Sequence, residues 1–197
     1  DPEGCASWND PHRTLLGTAQ ERWLDQAFEQ AAGGVTWNVL GQQTLFGQRD
    51  LRPGPGTTLW NDGWDGYAGA RARLTTSLQR HGLANPVLLG GDVNENWVGH
   101  VKADYARADS AALGVEFCGT SITSRAYPAD NFASLQAENP HFVFAENTRK
   151  GYGLVDFTPA QLTTTLRVVD DVTRRDTRIE TLAHFSVQAG RPVIERA

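Results

Sequence analysis

A short apolar run that ends in two glycines and a carboxylate constrains the fold more than any other stretch of this sequence. Residues 87–89 are valine and two leucines with no polar residue between them, which predicts a strand buried on both faces. The glycines at 90–91 allow a sharp turn or a close approach to a ligand. Asp92 follows the carboxyl end of this strand, where open α/β sheets build their binding sites.

The polar residues after this strand allow two interpretations. Asp92, Asn94 and Asn96 bring together hard oxygen donors, which suit a divalent or trivalent cation. The same residue types are common in turns, so an ordinary strand-to-turn exit is the alternative. An extended backbone would point residues 92 and 94 to the same side. Because such cations take about six ligands, the others would come from other loops or from chain outside this sequence.

Helical and extended patterns alternate through the first half of the chain. Thr18 and Glu21 have the spacing of a capping box, and apolar residues recur at helical spacing from there to the glycines at 33–34. A strand is predicted at 35–40, and residues 1–17 are interpreted as an extended lead-in. With the strand at 87–89, this order is typical of a layered α/β fold.

The long loop between the first strand and the second helix carries two tryptophans. We expect residues 46–65 to pack down or to rim a pocket, because Trp60 and Trp64 argue against disorder. Asp65 is predicted to cap the second helix, whose inner side would carry Arg71 and several apolar residues.

The second half of the chain consists mainly of predicted strands. Residues 113–118 alternate in polarity, which predicts a strand with one covered face, and a short helix is predicted at 132–138. Further strands are predicted at 142–145, 152–158, 164–172 and 178–188, of which the last three have the alternation of an antiparallel meander. No linker divides the sequence, so residues 1–197 are predicted to form one unit.

Charge and chain ends limit the classes of function. The net charge of −5 argues against a nucleic-acid surface, and no apolar run is long enough to cross a bilayer. Because the chain starts at Asp1 and contains no methionine, we expect that it derives from a longer precursor, whose missing part carried any export signal. Cys5 and Cys118 could form a disulfide with each other, pair with a missing segment, or remain free thiols.

The usual signatures of other catalytic sites are absent from the sequence. It contains no pair of histidines at metal-ligand spacing, no phosphate-binding Walker pattern, no GxSxG elbow and no CxxC pair. His100 and His141 are interpreted as structural, and Ser121 has no evident base near it in sequence. The oxygen-rich stretch that starts at Asp92 is therefore the main candidate site.

The residues around this stretch closely resemble a known family. Residues 91–97 are similar to the Gly-Asp-x-His-x-x-Trp signature of the PhoD-like alkaline phosphatases and phosphodiesterases. Five other stretches resemble motifs of that family in the same order: 16–24, 37–43, 64–71, 116–124 and 151–152.

The resemblance implies a calcineurin-like metallophosphoesterase fold, in which two packed sheets are flanked by helices and hold metals at their strand ends. It implies hydrolysis of phosphate mono- or diesters by a metal-activated hydroxide, with iron and calcium as the expected metals and zinc or manganese as alternatives. It also implies an exported protein, periplasmic or secreted, and some relatives cleave phospholipids in the manner of a phospholipase D.

Two departures from the family pattern modify this expectation. The chain matches only the carboxy-terminal half of the family, so we expect the amino-terminal half of the same precursor to complete the site as a second chain. The family histidine is replaced by Asn94, a weaker and harder ligand. The predicted metal ligands are Asp92 and Asn94. Asn96 and Thr120 are candidates for supporting the metal or a phosphate, with a structural turn as the favoured interpretation at Thr120.

The replacement at position 94 leaves three functional hypotheses. We favour impaired or metal-altered catalysis over full activity, because a carboxamide oxygen should weaken an iron site and favour calcium. The alternatives are a phospholipase D-like phosphodiesterase and a non-catalytic module that retains the fold for binding phosphate esters.

Overall fold

The computed structural model describes residues 7–126 and 132–196. Residues 7–17 form turns without a helix or strand, whereas an extended lead-in was predicted over 1–17. The elements that follow are α1 (Thr18–Ala31), β1 (Asn38–Gly41), a 3₁₀ helix (Trp64–Tyr67), α2 (Ala68–Arg80), β2 (Pro86–Gly90), β3 (Asn96–Lys102), β4 (Ala112–Cys118), α3 (Phe132–Glu138), β5 (Phe142–Glu146), β6 (Lys150–Phe157), β7 (Gln161–Val169), β8 (Ile179–Gln188) and β9 (Ile194–Arg196).

The strands form two sheets. The first has five strands in the order β1-β2-β4-β3-β5, in which β1, β2 and β4 are parallel and β3 runs antiparallel to both of its neighbours. The second is an antiparallel meander of β6, β7, β8 and β9. The chain therefore has an α/β fold with one mixed and one antiparallel sheet, and the predicted meander is confirmed.

The five-stranded sheet lies between the second sheet and two helices. On one face, Val87 of β2 and Phe117 of β4 pack against Leu162 and Phe185 of the second sheet. On the other face, Leu88 packs with the apolar sides of α1 and α2. Consecutive residues of β2 thus enter different cores, which is why the strand carries no polar residue. The prediction that it is buried on both faces is confirmed.

Two predicted helix caps are wrong. Helix α1 begins after Gly17 without a side-chain cap, and the Glu21 carboxylate instead accepts hydrogen bonds from Arg73, with Nε at 2.9 Å. Asp65 lies inside the 3₁₀ helix and forms a buried ion pair with Arg71 at 2.5 Å rather than capping α2. In both cases a charged residue that local spacing assigned to a helix end is bound by an arginine of α2.

Two strand predictions also need correction. β4 is buried on both faces, because Glu116, which its alternation placed on an open face, is only 1% exposed. The strand β3 was not predicted, although it lies between β4 and β5 in the sheet. Its first residue is the polar Asn96, and Gly99 and His100 interrupt the apolar pattern that would have indicated a strand.

Candidate metal and phosphate site

The predicted site lies at a tight turn between β2 and β3. Asp92 and Asn94 both have left-handed backbone conformations, with φ of 70° and 61°. The backbone is therefore not extended here, so the condition under which residues 92 and 94 would point to the same side is not met. Asparagine and aspartate tolerate this region better than most residues with a Cβ, so the sequence accommodates the turn.

The glycine at the end of β2 allows a neighbouring segment to approach the turn. A Cβ atom on Gly90 would lie 2.3 Å from the carbonyl oxygen of Thr44 and 2.7 Å from Nε2 of Gln42. The segment after β1 therefore passes directly against the end of β2. This close approach explains the first of the two glycines in structural terms.

Two residues contact the backbone of Asn94. Lys150 donates from Nζ to the Asn94 carbonyl oxygen at 3.3 Å, and the Thr120 hydroxyl lies 3.1 Å from the same oxygen. The Thr120 amide donates to Oδ1 of Asn96 at 3.2 Å, and Asn96 is 1% exposed. Asn96 and Thr120 thus link the turn to the loop after β4, and their roles toward a metal or a phosphate stay predictions.

The side chains of Asp92 and Asn94 line a cavity beside this turn. Neither makes a hydrogen bond or an ion pair with the described residues 7–126 and 132–196. Asp92 is exposed, Asn94 is half-buried, and both line a cavity of about 370 Å³. The other residues that line this cavity are Arg49, Trp60, Val93, Arg125 and Ala126.

A buried ion pair that the sequence analysis missed lies beneath the turn. Arg49 donates from Nη1 to Oε2 of Glu95 at 2.6 Å, and the two side chains are 5% and 2% exposed. The indole Nε1 of Trp97 donates to the same carboxylate oxygen at 2.7 Å. Trp97 therefore packs behind the turn, and Glu95 links it to Arg49 of the long loop.

Buried carboxylates also fix the segment between β1 and this loop. Both carboxylate oxygens of Glu116 accept backbone amides, from Phe46 at 2.5 Å and from Gly47 at 2.8 Å. Burial raises the pKa of Glu116 to about 7, against the opposite effect of these two donors. Asp65 accepts from the Arg49 amide at 3.0 Å. The long loop is thus packed down, as expected from its tryptophans, and Trp60 lines the cavity.

The histidines and the described cysteine have structural surroundings. His141 donates from Nε2 to the Gln48 carbonyl oxygen at 2.8 Å, and burial lowers its pKa to about 4. Burial likewise lowers the pKa of His100. Cys118 is a buried free thiol that donates to the Gly91 carbonyl oxygen at 3.3 Å, and burial raises its pKa. Cys5 lies outside the described residues.

The described part of the chain does not form a complete metal site by itself. Within residues 7–126 and 132–196, no three histidine, cysteine, aspartate or glutamate side chains form a group that could hold a metal ion. Asp92 and Asn94 offer two hard oxygen donors without competing partners, which fits a shared site and falls short of a complete one. In the same residues, no helix is both long and apolar enough to cross a membrane.

Comparison with known proteins identifies the family. The model of the PhoD-like phosphatase family matches residues 1–166, which is most of the chain. The chain belongs to the PhoD-like phosphatase family. The resemblance found in the six stretches of sequence is thereby confirmed.

The relatives of this PhoD-like chain are considerably longer than the chain itself. Alkaline phosphatase D of Bacillus subtilis (strain 168) is 37% identical over 183 residues, which cover 91% of this chain and 31% of that protein. A solved structure of PhoD matches with a TM-score of 0.87 and 34% identity, over 95% of this chain and 36% of that one. The chain thus spans about a third of the length of these relatives.

Proposed function

We propose that this chain is the carboxy-terminal part of a metal-dependent phosphoesterase that hydrolyses phosphate mono- or diesters. One observation carries the proposal: the free oxygen donors of Asp92 and Asn94 line the same cavity at the end of a central strand, in a chain of the PhoD-like phosphatase family. The two-sheet arrangement supports a calcineurin-like domain of which this chain forms the later half.

The metal in this proposal is shared between this chain and another segment. Asp92 supplies a carboxylate and Asn94 a carboxamide oxygen, and an amino-terminal chain of the same precursor supplies the remaining ligands. A bound cation of this kind generates a hydroxide nucleophile and neutralises charge on the phosphoryl oxygens. Lys150 and Thr120 keep the turn in position by binding the Asn94 carbonyl oxygen.

Asn94 determines which metal the site prefers. A neutral carboxamide oxygen suits calcium better than iron, so we propose a calcium-containing site with weakened iron binding and reduced turnover. Iron with calcium remains the first expectation for the whole cluster, with zinc or manganese as alternatives. The family also supports an exported protein, periplasmic or secreted.

The first experiment measures metal content and hydrolysis of material purified from its natural source. We expect a second polypeptide by intact-mass analysis, and hydrolysis of nitrophenyl phosphate or bis-nitrophenyl phosphate that a chelator abolishes. Faster cleavage of lecithin would favour the phospholipase D-like alternative. A protein without iron, calcium, zinc or manganese would favour the non-catalytic binding module, and a lone 21.5 kDa species with full activity would contradict the shared site.

Two substitutions test Asp92 and Asn94 in protein produced with the complementary half of the precursor present. Asp92→Asn should lower metal affinity by at least about tenfold, since even residues that only support metal ligands have effects of that size. Asp156→Asn is the matched control, because Asp156 is an exposed aspartate of β6 and does not line the cavity. Asn94→His should raise iron content and turnover, and unchanged values for both would refute our interpretation of Asn94.

A further inference from the structure

The cavity beside Asp92 is lined by two arginines, Arg49 and Arg125. Its two arginines differ, because the guanidinium of Arg49 is buried and neutralised by Glu95, whereas Arg125 is exposed. Arg125 makes no ion pair or hydrogen bond with the described residues 7–126 and 132–196. Among the residues that the structure describes, Arg125 is therefore the arginine of this cavity without a counter-charge.

The backbone that leads to Arg125 is anchored to the rest of the fold. The Ser121 hydroxyl donates to the Ser124 carbonyl oxygen at 2.6 Å. The carbonyl oxygen of Ser121 accepts the amide of Gly151 in β6 at 3.1 Å. These bonds fix the turn before Arg125 relative to the second sheet. The backbone of Arg125 is therefore held at the edge of the cavity.

The indole of Trp60 contributes an apolar part of the same cavity. Trp60 follows a short hairpin closed by the Asp50–Leu59 bridge and by the bond from the Leu51 amide to Thr58 at 2.8 Å. The indole is half-buried and packs beside the small core around Val93. The lining therefore combines a planar apolar surface with a carboxylate and a guanidinium.

We propose that this cavity binds phosphate esters of planar aromatic groups, with Arg125 on the phosphoryl oxygens and Trp60 stacked on the ring. Guanidinium groups bind phosphate oxygens in a paired geometry, and indoles stack on planar rings. A volume of about 370 Å³ is at the small end of ligand sites, which suits one phosphate and one ring. This inference rests on the proposed function, since it specifies the substrate class of that site.

Binding to the purified chain in the presence of a chelator tests this proposal without requiring catalysis. The probes are inorganic phosphate, phenyl phosphate, glycerol phosphate and short-chain phosphatidylcholine, and calorimetry measures each dissociation constant. We expect phenyl phosphate to bind about tenfold more tightly than glycerol phosphate, because stacking adds to the phosphate contact. Tighter binding of phosphatidylcholine, or no binding of any probe, would overturn the proposal.

Substitutions separate the two contacts. Arg125→Gln should weaken all phosphate probes by about tenfold, while the control Arg175→Gln, at an exposed arginine outside the cavity, should leave them unchanged. Trp60→Leu should remove the preference for phenyl phosphate, and Trp60→Phe should retain most of it. Trp23→Leu, at an exposed tryptophan of α1, is the matched control.

The outcomes distinguish this inference from the proposed function. Equal weakening by Arg125→Gln and Arg175→Gln, or an unchanged preference in Trp60→Leu, would overturn the assigned roles even if hydrolysis depends on metal and on Asp92. Conversely, selective binding without metal would support the pocket even if the purified protein contained no metal and hydrolysed nothing.

Discussion

Removing the carboxylate of Glu95 should destabilise the chain strongly. Its partner Arg49 is 5% exposed at the side chain, and Glu95 also accepts the indole N–H of Trp97 at 2.7 Å. Glu95→Ala leaves a buried guanidinium without a counter-charge and a buried donor without an acceptor. Breaking a buried pair in this way costs about 3–5 kcal/mol of unfolding free energy. For a chain of this size, that loss corresponds to a fall in Tm of roughly 6–20 °C.

Urea unfolding followed by tryptophan fluorescence, together with calorimetry, measures this loss. The control is Asp109→Ala, which removes a carboxylate from the exposed pair with Arg107, where the side chains are 76% and 66% exposed. That change should cost less than about 1 kcal/mol, because exposed pairs contribute little. A Glu95→Ala variant within about 1 kcal/mol of the unmodified chain would refute the argument from burial.

A double substitution distinguishes the lost charge pair from a general packing defect. Arg49→Met combined with Glu95→Gln removes both charges and retains a carboxamide acceptor for the indole of Trp97. Replacing a buried pair with well-packed neutral groups is often neutral. We therefore expect the double variant to recover most of the stability lost in Glu95→Ala, and no recovery would indicate that packing dominates.

Two further predictions concern buried groups near the site. Because burial raises the pKa of Glu116 from 4.5 to about 7, the free energy of unfolding falls as pH rises between these two values. Because burial lowers the pKa of His141 from 6.5 to about 4, the free energy of unfolding rises with pH between 4 and 6.5. In the Glu116→Gln variant, the free energy of unfolding should therefore rise by about 3 kcal/mol as pH increases through this range, and in the His141→Gln variant it should fall by a similar amount. Urea unfolding from pH 4 to 7.5 measures both changes, and the same pH dependence in the two variants would contradict this prediction. Gly90→Ala, whose Cβ would meet the Thr44 carbonyl oxygen at 2.3 Å, should cost about 1–3 kcal/mol, while Gly41→Ala, with no atom within 4 Å of its Cβ, should cost little in the same assay.

Elements with a regular apolar period could be predicted from the sequence. The helix at Thr18–Ala31, the buried strand at Pro86–Gly90 and the meander that begins at Lys150 each repeat a pattern over several residues. Such patterns depend only on local periodicity and on which faces are covered. The strand β3 escaped prediction because its first residue is a polar side chain buried in the structure, a placement that only its partners explain.

The wrong helix-cap predictions and the missed ion pair all involve charged residues. Glu21 and Asp65 have the spacing of helix caps, but each instead pairs with an arginine of α2, 52 residues and 6 residues away in sequence. Glu95 and Arg49, 46 residues apart, gave no local signal of their pairing. A charged side chain is read as exposed unless its partner is known, and long-range pairing is not encoded in spacing. The candidate site at Asp92 and Asn94 stays a prediction, and the buried pair that supports its turn was missed.

The left-handed backbone at position 94 makes the exchange between asparagine and histidine informative. Asparagine, aspartate and histidine are the residues with a Cβ that most often adopt positive φ, and Asn94 has φ of 61°. The turn is held through the carbonyl oxygen of Asn94, by Lys150 and Thr120, rather than through its side chain. Histidine can therefore occupy this position without a new backbone cost or a lost hydrogen bond. A change in metal content after Asn94→His would accordingly report on the ligand atom itself, a borderline imidazole nitrogen in place of a hard oxygen, and not on the fold of the turn.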